Sequence, residues 1–205
     1  MEYRALGESG LKVSPICLGT MTFGERTDPS DAARIVSSAR TAGVNFIDTA
    51  NVYAKGDSER ITGSFLQPHR SHWVLATKVA NPTGDGPNDR GLGRGHMVKA
   101  LDASLDRLHT DYIDLYYLHK DDFSTPLEET LRTMGDFIRA GKVRYWGLSN
   151  FRAWRLMKAL AVVYGIEPMI VLKDICGASD RETEAVVRWM MDALVDAALR
   201  EGIRK

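Results

Sequence analysis

The stretch IDLYYLHK, residues 113–120, reads as a β-strand from Ile113 to Leu118 that runs directly into His119. Its apolar residues form an almost unbroken run instead of alternating with polar ones, as in a parallel strand covered on both faces. Working outward, WVLAT at 73–77 has the same form and is followed by Lys78. VNFID at 44–48 ends in Asp48, with Tyr53 close behind. ICLGT at 16–20, VRYWGL at 143–148 and MIVL at 169–172 complete the set of strand-like runs. Amphipathic stretches near 29–42, 58–67, 95–108, 126–140, 152–164 and 181–201 separate them and read as helices. Strand and helix in alternation imply a parallel sheet with helical crossovers.

An open doubly wound sheet and a closed barrel both satisfy that alternation. The polar residues decide between them. Gly19–Thr20, Asp48, Lys78, His119 and Ser149–Asn150 all fall at the C-terminal ends of successive strands. A βα barrel gathers such ends around one mouth, whereas an open sheet spreads them along a line or across a switch point. The barrel is therefore the expected fold. YRAL and LKVS flank Gly-Glu-Ser-Gly at 7–10 and read as a small hairpin placed ahead of the barrel floor.

Helix punctuation agrees. Asp28 before Pro29 reads as an N-cap, and Thr125-Pro126 with Glu128 reads as a second N-cap with a capping box. Gly43, Gly141, Gly165 and Gly202 read as C-terminal stops. The whole chain, residues 1–205, is expected to form one barrel domain.

The chain has 205 residues, 44% of them hydrophobic and 26% charged, which suits a globular core. Lys plus Arg and Asp plus Glu each number 27, so no net charge favours nucleic acid or an anionic membrane. No apolar run approaches the roughly 20 residues of a membrane span. No apolar leader opens the sequence, and Cys17 and Cys176 both sit in apolar contexts, as buried thiols do. A cytoplasmic protein is the expectation.

A Tyr able to share a proton with a Lys, backed by an Asp and a His, is a constellation for moving a proton to or from a carbonyl oxygen. Each residue alone would be unremarkable, since a Tyr after a strand usually packs and a lone Lys or Asp usually meets solvent. Their gathering at consecutive strand ends is what carries weight. Phe23 could line the pocket or pack beneath the first loop. The Gly-rich loop ANPTGDGPNDRGLGRG at 80–95 lacks the spacing of a dinucleotide fingerprint and reads as a flexible lip over the mouth. A metal at His119, Asp121 and Asp122 is disfavoured by the cationic Lys120 and by the lack of a second nearby histidine.

LGTMTFG at 18–24, GVNFIDTANVYAKGDSE at 43–59, ATKV at 76–79, SLDRLHTDYIDLYYLHKDD at 104–122 and GKVRYWGLSNF at 141–151 resemble segments of the aldo-keto reductase family, in that family's order. The resemblance runs from Tyr3 to about Leu160 and weakens toward residue 185. It implies an eight-stranded βα barrel and an NADPH-dependent carbonyl reductase, NADH being the other possible cofactor, acting on a small aldehyde or ketone. It maps a catalytic tetrad onto Asp48, Tyr53, Lys78 and His119. In that tetrad Tyr53 is the general acid, although a free phenol titrates near pH ~10. A Lys78 ammonium beside it favours the phenolate. Asp48 would anchor Lys78, and a neutral His119 would orient the carbonyl. The resemblance also implies that Gly19, Thr20, Met21, Asp48, Ser149 and Asn150 bind cofactor, and that Phe23, Tyr53 and His119 meet substrate.

A full barrel takes about 250 residues, and this sequence shows six βα units. Against the family, strands seven and eight are missing, with the nicotinamide-stacking aromatic and the phosphate-binding basic residues they carry. Lys173 stands where the family has Gln. The fold expected is thus a barrel shortened after six units, whose open sheet edges the 186–205 helix or a second copy of the chain would cover. Two functions fit: a carbonyl reductase, or a shortened, non-catalytic relative that binds or regulates a partner.

Overall fold

The structure is a computed structural model and describes residues 1–7 and 9–152. Met1–Arg152 forms one compact unit. The helices expected at 152–164 and 181–201, the strand at 169–172, Gly165, Lys173, Cys176 and Gly202 lie outside the described residues.

Two short strands, β1 (Arg4–Ala5) and β2 (Lys12–Val13), pair antiparallel across the expected turn. The main sheet follows: β3 (Cys17–Gly19), β4 (Phe46–Asp48), β5 (Val74–Val79), β6 (Ile113–Leu118) and β7 (Val143–Leu148). All four pairings are parallel, and the order is strictly sequential, β3-β4-β5-β6-β7. A doubly wound sheet reverses its order at a switch point. This one does not, and its winding is that of a βα barrel.

Helices α1 (Pro29–Thr41), α2 (Asp57–Leu66), α3 (Arg94–Leu108) and α4 (Leu127–Arg139) make the crossovers. Each packs on the next: α1 on α2, α2 on α3, α3 on α4. The α2–α3 approach is close because residue 63 is glycine. A Cβ there would lie 2.6 Å from the backbone of Leu108. Beneath the helices, Ile47, Leu75, Val79, Met97, Leu101, Ile113, Leu118 and Met134 form the heart of the core.

Local chemistry sets the helix ends. The Asp28 carboxylate accepts from the N–H groups of Ser30 and Asp31, capping α1 as expected. Gly43 (φ 84°) and Gly141 (φ 72°) close α1 and α4 in the left-handed conformation, and Val44 N–H and Lys142 N–H reach back to Ala39 and Phe137. The expected cap at Thr125 does not form. Pro126 occupies the N-cap position with no side-chain cap, and the Thr125 hydroxyl donates instead to Asp122 at 2.6 Å. A capping hydroxyl must turn its oxygen to the helix N–H groups; the charge-assisted bond to Asp122 holds the Thr125 hydroxyl toward the loop instead.

Strand alternation then sorts the side chains. Neighbours on β5 point oppositely: Thr77 outward, donating to the buried Glu59 at 2.5 Å, and Lys78 inward, toward Asp48. Glu59 is paired in turn with Arg107 of α3, which ties α2, α3 and β5 together behind the sheet. The hairpin joins the other end of the sheet. Asn45, just before β4, donates to Lys12 O at 2.9 Å and accepts from Ser14 N–H at 2.7 Å. No helix among the described residues is long and apolar enough to cross a membrane.

Candidate active site

Strand ends deliver the site. Asp48 closes β4, Lys78 lies one residue from the end of β5, and His119 follows β6. Parallel register brings them level, because Asp48 pairs with Ala76 and Lys78 with Tyr117. The Lys78 ammonium, almost fully buried, donates to Asp48 Oδ2 at 2.5 Å, to Thr49 O at 2.7 Å and to the Tyr53 hydroxyl at 3.3 Å. Three donors thus meet three acceptors. The Tyr53 hydroxyl receives one of these bonds and keeps its own proton to give. The Tyr53 ring meets the His119 ring edge-on, with centroids 6.0 Å apart.

Tyr53 opens a tight turn, Tyr53–Gly56, in which Ala54 (φ 47°) and Lys55 (φ 54°) are both left-handed. Neither is glycine, so each costs about 1–2 kcal/mol. The surroundings hold the strain in place. Tyr53 N–H bonds Ala50 O and Lys55 N–H bonds Val52 O. Below the turn, the buried Ser58 hydroxyl meets Thr20 and Thr49 hydroxyls at 2.9 and 3.0 Å and donates to Thr20 O at 2.7 Å. Backbone strain maintained beside a polar cluster is a mark of functional sites.

His119 is held at both ends of its peptide unit. Its N–H donates to Val79 O at 2.7 Å, and its carbonyl accepts from Asn150 Nδ2 at 2.8 Å. Burial lowers its pKa below the ordinary histidine value; the Lys78 charge and, more weakly, Lys120 add to this while Asp48 opposes it. The imidazole is neutral at physiological pH. Cys17, expected as a buried thiol, is exposed, because it lies at the end of the described sheet on the short strand β3. Partial desolvation of its sulfur nonetheless pushes the thiol up to about 12, with the Asp48 charge assisting, and desolvation likewise raises the Tyr117 phenol. Both stay protonated.

The remaining expected residues fall in three kinds of place. Gly19 sits open at the end of β3, where a Cβ would meet nothing within 4 Å. Met21 beside it is 62% exposed. Thr20 is fully buried, its hydroxyl turned to Asp48 O at 3.1 Å and to Ser58. Phe23 is not on an open surface: it is 2% exposed and packs in the hydrophobic core under the loop. Ser149 and Asn150 follow β7 at the same rim as His119, with Asn150 in the left-handed region (φ 56°) and exposed. Asn150 Nδ2 also contacts Ser149 Oγ at 2.9 Å.

The loop after β5 is tied down. Thr83 N–H bonds Asp89 O, Gly91 N–H bonds Ala80 O, and Leu92 N–H donates to Asp122 Oδ2 at 2.7 Å. One residue in it went unassigned in the sequence: Asn81, whose side-chain Nδ2 lies 3.1 Å from His119 Nδ1. Its only signal was a polar side chain shortly after a strand-end lysine.

The pattern of the Aldo/keto reductase family matches residues 15–191. A protein of Arabidopsis thaliana named "Probable voltage-gated potassium channel subunit beta" is 45% identical over 163 residues, 78% of this chain and 49% of that protein. One of the same name from Oryza sativa subsp. japonica is 43% identical over 166 residues, 79% and 50% of the two chains. The "Uncharacterized oxidoreductase YrpG" of Bacillus subtilis (strain 168) is 45% identical over 172 residues, 78% and 53%. The chain spans about half the length of these relatives. A family pattern covering most of the sequence, over a sequentially wound parallel sheet, places this chain in the aldo/keto reductase family.

Proposed function

We propose that the protein is an oxidoreductase that reduces a small aldehyde or ketone to its alcohol, using NADPH, or NADH in its place, with Tyr53 as the general acid. One observation carries the reading: a single buried ammonium, Lys78, bridges Asp48 and the Tyr53 hydroxyl, with His119 beside them. The oxidoreductase name of the Bacillus subtilis relative supports the reaction class.

The rim has room and chemistry for a nicotinamide. Gly19 leaves open space, and Ser149 and Asn150 present a hydroxyl and an amide suited to a carboxamide, which both donates and accepts. When bound, the nicotinamide supplies a hydride to the carbonyl carbon. The protein's own residues manage the oxygen. His119 donates a hydrogen bond to it and fixes its direction. As negative charge develops there, Tyr53 passes its hydroxyl proton across. The Lys78 ammonium stabilises the charge left on the phenolic oxygen, and Asp48 keeps that ammonium in place.

The test is direct. Titrate NADPH while following tryptophan fluorescence, then assay reduction of a small aldehyde by nicotinamide absorbance. Binding at micromolar cofactor and turnover that vanishes in Tyr53→Phe are expected. A second reading, a non-catalytic binding or regulatory protein, is favoured by the two relatives named as channel subunits. NADPH binding without turnover would select it.

A further inference from the structure

Among the described residues His119 Nδ1 has one partner, the side-chain amide nitrogen of Asn81 at 3.1 Å. An amide NH₂ is a donor only, so the ring nitrogen facing it must be an acceptor. That leaves the imidazole proton on Nε2. The backbone of His119 is already pinned to Val79 O and Asn150 Nδ2, so tautomer and ring rotation are the freedoms that remain. Asn81 removes both. Its own backbone is placed by the tethered loop: Ala80 is buried, and its carbonyl accepts from Gly91 N–H at 2.8 Å.

We propose that Asn81 is a positioning residue that locks the Nε2–H tautomer and ring orientation of His119, so that the ring offers a proton donor to the substrate oxygen. The kinetic half of this inference rests on the reductase reading above; the tautomer half rests on geometry alone. Asn81 also opposes protonation, because an imidazolium would turn an Nδ1–H against the amide N–H. The charged and titratable groups around the ring are Lys78 from β5, Asp48 from β4, Tyr53 from the turn and Lys120 from its own loop. With Lys78 and Asp48 paired to each other, Asn81 decides which nitrogen is protonated.

The experiment is nitrogen-15 NMR of the histidine rings in the cofactor-free protein, with His119→Gln to assign the signal. In the wild type, the Nε2–H tautomer and a titration midpoint below the ordinary histidine value of about 6.5 are expected. An Nδ1–H tautomer in the wild type overturns the proposal without any variant having to fold. Asn81→Asp substitutes an acceptor, which should switch the neutral ring to Nδ1–H. It should also raise the midpoint by about one pH unit or more, as an opposite charge at this range does. A ring signal unchanged in Asn81→Asp and Asn81→Ala overturns the proposal as well. In the reductase assay at pH 8, Asn81→Asp should lower kcat about tenfold or more, the cost of a misplaced group, while KM for the cofactor stays the same. A wild type that reduces nothing sinks the reductase reading, and the NMR result still decides the role of Asn81.

Discussion

The two ends of the sheet each set a carboxylate against cations, and they differ in what is left over. At the start of β6, Asp114 is 3% exposed and accepts from Arg70 at 2.7 Å, Arg144 at 2.8 Å and Leu75 N–H at 3.1 Å. Arg70 gives its other N–H groups to Thr110 Oγ1 and to the carbonyls of Trp73 and Tyr112. Both guanidinium groups lie over the Tyr112 ring, at 4.0 and 3.8 Å from its centre. At that end both carboxylate oxygens of Asp114 are engaged. At the mouth, Lys78 is saturated, but among the described residues Tyr53 keeps an undonated proton and His119 keeps Nε2. A cluster with no valence to spare holds the fold; one with spare valence can act on a ligand.

The largest expected effect separates the two directly. Tyr53→Phe removes the spare proton and, of the structure, only the longest of the three Lys78 hydrogen bonds, at 3.3 Å. Carbonyl reduction should fall about 10²–10⁴-fold, with the thermal midpoint unchanged within a degree or two. If melting temperature falls along with activity, the Tyr53 hydroxyl is a structural group and the comparison breaks.

At the opposite end, Asp114→Ala strands two guanidinium groups, one of them nearly buried. Breaking such a pair costs about 3–5 kcal/mol, which urea unfolding would read as a large drop in midpoint. Turnover per folded molecule should hold. A loss under 1 kcal/mol would mean that Tyr112 stacking and backbone carbonyls carry the arginines alone.

Asp48→Asn makes at the mouth a change that is milder for stability. The Asp48 carboxylate is 27% exposed and the asparagine still offers an amide oxygen, but the Lys78 ammonium is almost fully buried and loses its counter-charge, so stability should fall by about 1–3 kcal/mol, less than at Asp114. Activity should fall by at least tenfold, because Lys78 loses its anchor and drifts from Tyr53. Equal stability losses from Asp48→Asn and Asp114→Ala would erase the distinction between the ends.

Much of this was legible in the sequence. The runs IDLYYL and VRYWGL match β6 and β7 residue for residue: β6 because it is buried along almost its whole length, β7 because of its β-branched and aromatic residues, although only Val143 in it is buried. The run at 73–77 stopped short, since β5 continues through Lys78 to Val79 and a lysine looks like an end. The tetrad was visible because polar residues at apolar strand ends stand out. Asn81 was not, because a loop has no periodicity to violate. The left-handed Ala54 and Lys55 were hidden too, as nothing in their side chains calls for positive φ. Thr125 misled because the sequence shows a capping pattern but not the loop carboxylate that turns its hydroxyl away from the helix.

That carboxylate, Asp122, gives the smallest effect and the sharpest form of the comparison. It lies on the mouth side, after His119, yet it is bonded like Asp114. Partial burial alone would raise its pKa. Hydrogen bonds from the Ser124 and Thr125 hydroxyls and from Leu92 and Ser124 N–H outweigh this and hold it at about 2. Since the folded value lies below the ordinary 3.8, its stabilisation is complete above that pH. It is lost as pH falls toward about 2. Asp122→Ala should cost about 1 kcal/mol at neutral pH and flatten the acid limb of the stability curve between those two values. Exchange of the Leu92 amide should quicken, and reduction should change little. A large loss of activity with stability intact would instead make the lip over the mouth part of the chemistry, and bonding saturation would no longer separate structural carboxylates from reactive ones.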